Sequence, residues 1–126
     1  MHHISQEKFN FGNKTLLKKI DELKIMFVEL ILIKEYKELI TKISFITNLL
    51  NEINSFNKYA KNDVELYNNL LEMIRISDLT IDKLSDVKFK LDDSNCINNV
   101  NQIIQEYKEY KNKYKSFISK TSTYDR

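Results

Sequence analysis

Residues 100–117 read VNQIIQEYKEYKNKYKSF, and the fold turns on how this stretch is read. Val100, Ile103, Tyr107, Tyr110, Tyr114 and Phe117 are spaced 3, 4, 3, 4 and 3 residues apart. That is the period of one face of an α-helix and is incompatible with the two-residue alternation of a strand. Upstream, Asp92-Asp93-Ser94 supplies turn residues and places negative charge at the positive end of the helix dipole. The spacing predicts a helix over about 94–118, after which residues 119–126 lose the periodicity and are expected to be loose.

The same period recurs toward the amino end. Leu16, Ile20, Leu23, Phe27 and Leu30 predict a helix over about 14–33. Gly12, the single glycine, stands just before it and reads as a turn that swings Phe9 and Phe11 against the other helices, with residues 1–12 otherwise loose. Tyr36, Ile40, Ile43, Ile46, Leu50 and Ile53 predict a second helix over 35–56. Ile33-Lys34-Glu35 contains no helix breaker, so the two could be one bent rod. A tight hairpin is preferred, because a single rod would exceed ordinary globular helix lengths.

Residues 54–62 are rich in Asn and read as the longest loop. Asn62 followed three residues later by Glu65 is a helix-start signature, so a third helix is expected over 63–90. Its stripe is Tyr67, Leu70 or Leu71, Ile74, Ile81 and Leu84, with Asp78 as a gap that is either a weak spot or a functional notch. The fold class is therefore all-α, as an antiparallel four-helix bundle or two long helical hairpins, in one domain over 1–126.

Composition removes most chemistry. The 126 residues include one Gly, no Pro, no Trp and one Cys, so phosphate-cradling loops, disulfide frameworks and zinc-ligand sets cannot be written. Histidine occurs only at His2 and His3, which excludes the Glu-x-x-His ligand pairs of bundle metal sites. The carboxylates at Asp21-Glu22, Asp63, Glu65 and Asp92-Asp93 fall at helix ends or exposed faces, where capping and solvation account for them. No catalytic residue, metal or cofactor is expected. Cys96, with no ligand or base nearby in sequence, reads as a buried structural thiol of a reducing compartment.

No secretory signal pattern opens the chain, and its most apolar run, Ile25–Ile33, is far shorter than the roughly 20 residues that span a bilayer. The chain is read as cytoplasmic. Net charge is +2, too close to neutral for a protein recognised by nucleic acid through its overall field. The charge is unevenly placed, with an acidic stretch over 62–106 and six basic against two acidic residues over 107–126. Lys108, Lys111 and Lys115 form a basic face, and rings interleaved with cations can bind nucleic acid by stacking and phosphate contact. The rings nevertheless occupy heptad positions, so they are expected to pack inward while the lysines face water, and nucleic acid is disfavoured as a partner. A seam of phenols is expected to be wetter than one of leucines, and suited to exchange with a partner helix.

The order of these segments resembles the small helical flagellar type III export chaperones of the FliT and FlgN kind. The resemblance rests on residues 34–40 through 49–53 and on Leu70-Leu71-Glu72-Met73-Ile74-Arg75-Ile76-Ser77-Asp78-Leu79-Thr80-Ile81, and spans about residues 14–118. It implies a cytoplasmic chaperone that shields an amphipathic helix of an export substrate, with the last helix as a regulatory lid. The expected partner groove comprises Ile76, Leu79 and Phe89 of the third helix with Tyr107, Tyr110, Tyr114 and Phe117 of the fourth. The alternative is a self-associating bundle, a homodimer built on the almost all-round apolar run Ile25–Ile33.

Overall fold

The computed structural model describes residues 5–122, in which four α-helices and one 3-10 turn follow each other without a strand. Helix α1 covers Gln6–Leu32, α2 Tyr36–Phe56, α3 Asp63–Lys88 and α4 Ser94–Ser122, with a 3-10 turn at Asn57–Tyr59. No described helix is long and apolar enough to cross a membrane. His2 and His3, and the outer parts of the expected loose ends, lie outside the described residues.

Helix α1 starts earlier than the sequence reading places it. Ser5 caps it by accepting a hydrogen bond from the Lys8 backbone N–H at 3.2 Å. Gly12 is therefore helical rather than a turn, and its backbone φ is not positive. Its function is close approach: a Cβ built there would lie 2.5–2.7 Å from three ring atoms of Tyr59. The ring of the 3-10 turn thus packs directly on the α1 backbone, and Phe9 and Phe56 flank it at centroid distances of 6.1 and 5.6 Å. At the carboxyl end, residues 119–122, expected to be loose, continue α4 as helix.

Helices α1 and α2 are separate rods. Ile33 is buried and extended, at φ −76° and ψ 134°, and breaks the helix although no Gly or Pro is present. Its carbonyl accepts the Lys83 ammonium at 2.7 Å, which fixes this turn to the end of α3. At the opposite end Asn13, near the start of α1, donates its amide to the Tyr59 carbonyl (2.7 Å) and to the Glu65 carboxylate (2.8 Å) at the start of α3. Start meets start and end meets end, so α1 and α3 run parallel. Helices α2 and α4 are likewise parallel, because Asn99 donates to the Tyr36 hydroxyl and Tyr107 meets Thr47 further along both. The architecture is two antiparallel hairpins, α1–α2 and α3–α4, set side by side.

The α2 stripe is buried as expected at Ile43, Ile46, Leu50 and Ile53 and differs only at its start, whereas the α3 stripe is rotated by about one position. On α2 the first buried residue is Leu39, while Tyr36 and Ile40 are half-buried. On α3 the buried face is Asn69, Leu70, Met73, Ile76, Ser77, Thr80, Leu84 and Val87, with Ile74 and Ile81 at its margin. Ser77 and Thr80 can be fully buried because each hydroxyl donates to a carbonyl one turn back, Met73 at 2.8 Å and Ile76 at 2.7 Å. With these two polar residues on the inner face, Asp78 falls outside it and meets Lys111 at 2.5 Å. The gap in the apolar spacing is thus a surface position facing α4 rather than a break in the core. The Asn62 cap forms as expected, accepting from the Glu65 N–H at 2.9 Å. The Glu65 carboxylate in turn reaches back to accept from the Lys61 N–H at 2.7 Å, one residue before the cap.

Candidate functional site

The expected groove between α3 and α4 is absent as a crevice, because these two helices form the most extensively packed pair in the molecule. Ile76, Tyr107 and Tyr114 are core residues. Leu79 shares the α3 face of Lys83 and Glu65, which both bond to α1 or its turn, and so lies on the α1 side. Phe89 is the C-cap of α3 and 90% exposed, away from the others. Cys96, expected to be buried, is half-buried.

Tyr107 decides how α4 is held. Its hydroxyl lies 2.7 Å from the Thr47 hydroxyl, which itself donates to the Ile43 carbonyl at 2.9 Å, leaving the phenol as the donor between them. The expectation of a wet phenol seam fails at this position: the ring is completely buried and its hydroxyl bonded. Burial pushes the Tyr107 phenol far above its ordinary value of 10.0, opposed by the Thr47 bond and reinforced by Tyr110, Tyr114 and Glu106. Tyr114 is raised by burial and then by Tyr110; Tyr110, more open, is raised by burial and then by Glu106 and Glu109.

The open side of the molecule lies between α2 and α4. Close backbone packing joins α1 to α2, α1 to α3 and α3 to α4, whereas α2 and α4 approach at isolated points at most. Side chains bridge that gap, at Tyr36–Asn99 and Thr47–Tyr107. Between and beyond the bridges lie two recesses. One, of about 240 Å³, is lined by Ile40, Ile43, Ser44, Thr47, Asn48, Asn99, Ile103 and Glu106. The other, of about 410 Å³, is lined by Asn54, Asn57, Lys58, Leu66, Leu70, Phe117 and Lys120.

The α4 wall is one helical face. Ile103, Glu106, Tyr110, Phe117 and Lys120 lie along one helical face, so the two recesses open on the same side of α4, the second also walled by Leu66 and Leu70 of α3. Tyr110 meets Tyr107 edge-on at 5.2 Å between centroids, which fixes its ring over the core. Of the groove residues expected from sequence, Tyr110 and Phe117 thus share a face with this side. The facing wall, on α2, was missed. Ile40, Ser44, Asn48 and Asn54 carry a mixed apolar and uncharged pattern that reads as a helix margin until a second helix stands opposite it.

Other candidates fare differently. A recess of about 690 Å³ between α1 and α3 is walled by Asp21, Lys24, Glu65 and Asn68. It is backed by the Asn13–Glu65 bond, so it belongs to the strut joining the hairpins. The basic face of α4 looks onto carboxylates: Lys108, Lys111 and Lys115 share a recess with Asp78 and Asp82, and Lys111 is paired to Asp78. The apolar run of α1 is buried at Leu30 and Ile33, yet Ile25, Val28 and Leu32 are 60%, 59% and 73% exposed on the outward face. Among the described residues no group of three potential metal ligands occurs. Neither a protein-family model, nor a curated protein, nor a solved structure matches the chain.

Proposed function

We propose that this chain is a non-enzymatic protein-binding module, and that the groove between α2 and α4 receives an amphipathic helix of a partner protein. The observation that carries the reading is the unclosed side of the molecule, apolar at its floor and polar along its rims. A helix seated there packs its apolar stripe on Ile40, Ile103, Tyr110 and Phe117. It completes for α2 and α4 the helix-on-helix packing that α1–α2, α1–α3 and α3–α4 already have. Ile40 to Asn54 accommodates a helix of about four turns at 1.5 Å per residue.

The resemblance to flagellar export chaperones gives this reading its more specific form, a cytoplasmic chaperone whose client helix is an export substrate. In that form α4 is a lid; the buried Tyr107 and Tyr114 favour α4 as a fixed wall. The test is photo-crosslinking in host cells from position 48 in the groove and from Ser116 on the outward face of α4, with the crosslinked segment sequenced. The expected outcome is an amphipathic helical segment captured from position 48 and not from 116. Equal capture from both, or a segment without helical apolar spacing, overturns the proposal.

A second reading has its own observation. Ile25, Val28 and Leu32, at i, i+3 and i+7, form an outward apolar stripe that suits self-association. Light scattering at micromolar concentration separates the two: a monomer retains the partner-helix reading alone.

A further inference from the structure

The outer face of the α1–α2 hairpin carries apolar side chains that no described element covers. Ile25 and Leu32 of α1 are joined there by Phe45 of α2, which is 57% exposed. The ion pairs Lys19–Glu52 and Glu29–Lys42 set the register of the two antiparallel helices. By that register Ile25 stands level with Ile46, the neighbour of Phe45, and Leu32 stands level with Leu39. Phe45 lies one turn from Lys42, on the flank of α2 that meets α1. Ile40, Ser44 and Thr47 lie on the other flank, so this face and the α2–α4 groove are different sides of the molecule.

The size of the patch suits a second copy of the chain. Its three large side chains offer on the order of 400 Å² of apolar surface, most of what a homodimer interface of about 800 Å² per partner, about two thirds apolar, requires. Its shape and charge are self-complementary. Beside the Phe45 ring lies a recess of about 400 Å³ walled by Lys37, Glu38, Thr41 and Lys42. A two-fold axis running between α1 and α2, along their length, keeps every residue at its level and lays α1 antiparallel on α2 of the other copy. Ile25 then packs against the second copy's Phe45, and Leu32 enters the second copy's recess. The same operation sets Glu29 against Lys42 and Lys19 against Glu52 between copies, so each pair that joins the hairpin is met by its opposite charge.

We infer, resting on the self-association reading above, that two copies join by these hairpin faces into an interface of four alternately antiparallel helices. Such a bundle uses the packing that the chain already has inside it. It leaves the α2–α4 groove of each copy open, so the dimer presents two grooves.

The test uses the full chain in a Cys96→Ser background. Light scattering is expected to give twice the chain mass, with dissociation on the order of tenfold easier in Phe45→Ser. Phe89→Ser, which removes an equally exposed ring at the far end of α3, is expected to leave the dimer unchanged. Glu29→Cys and Thr41→Cys, mixed and oxidised, are expected to give the mixed disulfide in excess of either self-linked product, because the axis sets 29 of one copy beside 41 of the other. Circular dichroism checks that each variant keeps its helix signal. A monomer at all concentrations overturns this arrangement and the self-association reading together, and leaves docking in the groove untouched. A dimer that ignores Phe45→Ser, that weakens equally with Phe89→Ser, or that links 29 chiefly to 29 overturns the arrangement and leaves self-association standing.

Discussion

Replacing Gly12 with alanine sets two effects of known size against each other. In a helix interior alanine is favoured over glycine by about 1 kcal/mol, because glycine loses more backbone freedom on folding. At position 12 the added methyl would fall 2.5–2.7 Å from Cγ, Cδ1 and Cδ2 of Tyr59. Ordinary carbon contacts lie at roughly 3.5–4.0 Å, so the ring must retreat by about 1 Å. Phe9 and Phe56 stand against that ring, and the Tyr59 carbonyl is held by Asn13. Overpacking of this kind costs about 1–3 kcal/mol. Taking about 2 kcal/mol against a gain of about 1, Gly12→Ala should destabilise by about 1 kcal/mol and lower Tm by about 3–5 °C for a chain of this size. In a Tyr59→Ala background the obstruction is gone, and the same substitution should stabilise by about 1 kcal/mol. Urea unfolding of the four proteins, followed by circular dichroism, closes the cycle with a coupling near 2 kcal/mol. A gain of about 1 kcal/mol from Gly12→Ala in both backgrounds would refute the close approach. It would also remove the anchoring of the turn that carries Lys58.

Four further outcomes are expected. Tyr107→Phe should cost about 1 kcal/mol and no more, since Thr47 keeps its bond to the Ile43 carbonyl and nothing buried is orphaned; a loss above about 3 kcal/mol in urea unfolding would mean the ring itself is misplaced. Asn13→Ala leaves the Tyr59 carbonyl and Glu65 without their buried donor, and should cost about 1–3 kcal/mol. The phenols of Tyr107 and Tyr114 are raised above the ordinary 10.0, so the unfolded chain loses these protons first. Stability is intact below pH about 10 and falls above it, and absorbance titration should show these two tyrosines ionising only together with loss of helix signal. Removing residues 95–126 takes away a groove wall and bares Ile76 and Leu84, so capture of a helical partner from position 48 should be lost; a folded truncation that captures it more strongly would make α4 a lid.

The all-α class and the hairpin between α1 and α2 were legible in the sequence because apolar spacing carries them directly. What misled the reading was chemistry that spacing does not encode. Gly12 looks like a turn until Tyr59, far away in sequence, is placed on it. Ser77 and Thr80 look like surface residues, yet their hydroxyls satisfy themselves on their own helix, which turned the α3 stripe by one position and made Asp78 seem misplaced. Of the residues expected to line a groove, Tyr110 and Phe117 lie on the α4 face toward the recesses, whereas Ile76, Tyr107 and Tyr114 are packed in the core. One helical face cannot announce which neighbour stands apart from it, and that Ile40, Ser44 and Asn48 line a recess depends on that neighbour. Pairing between hairpins is set by long-range bonds such as Asn13–Glu65 and Lys83–Ile33, which no local pattern records.

The central claim is that a partner helix lies between α2 and α4, and amide NMR during titration with a synthetic amphipathic helical peptide tests it residue by residue. Shifts confined to 40–58 and 102–120, with Ile25, Val28 and Leu32 unmoved, are the predicted result. Shifts concentrated on α1, or on the contact between α3 and α4, would contradict it.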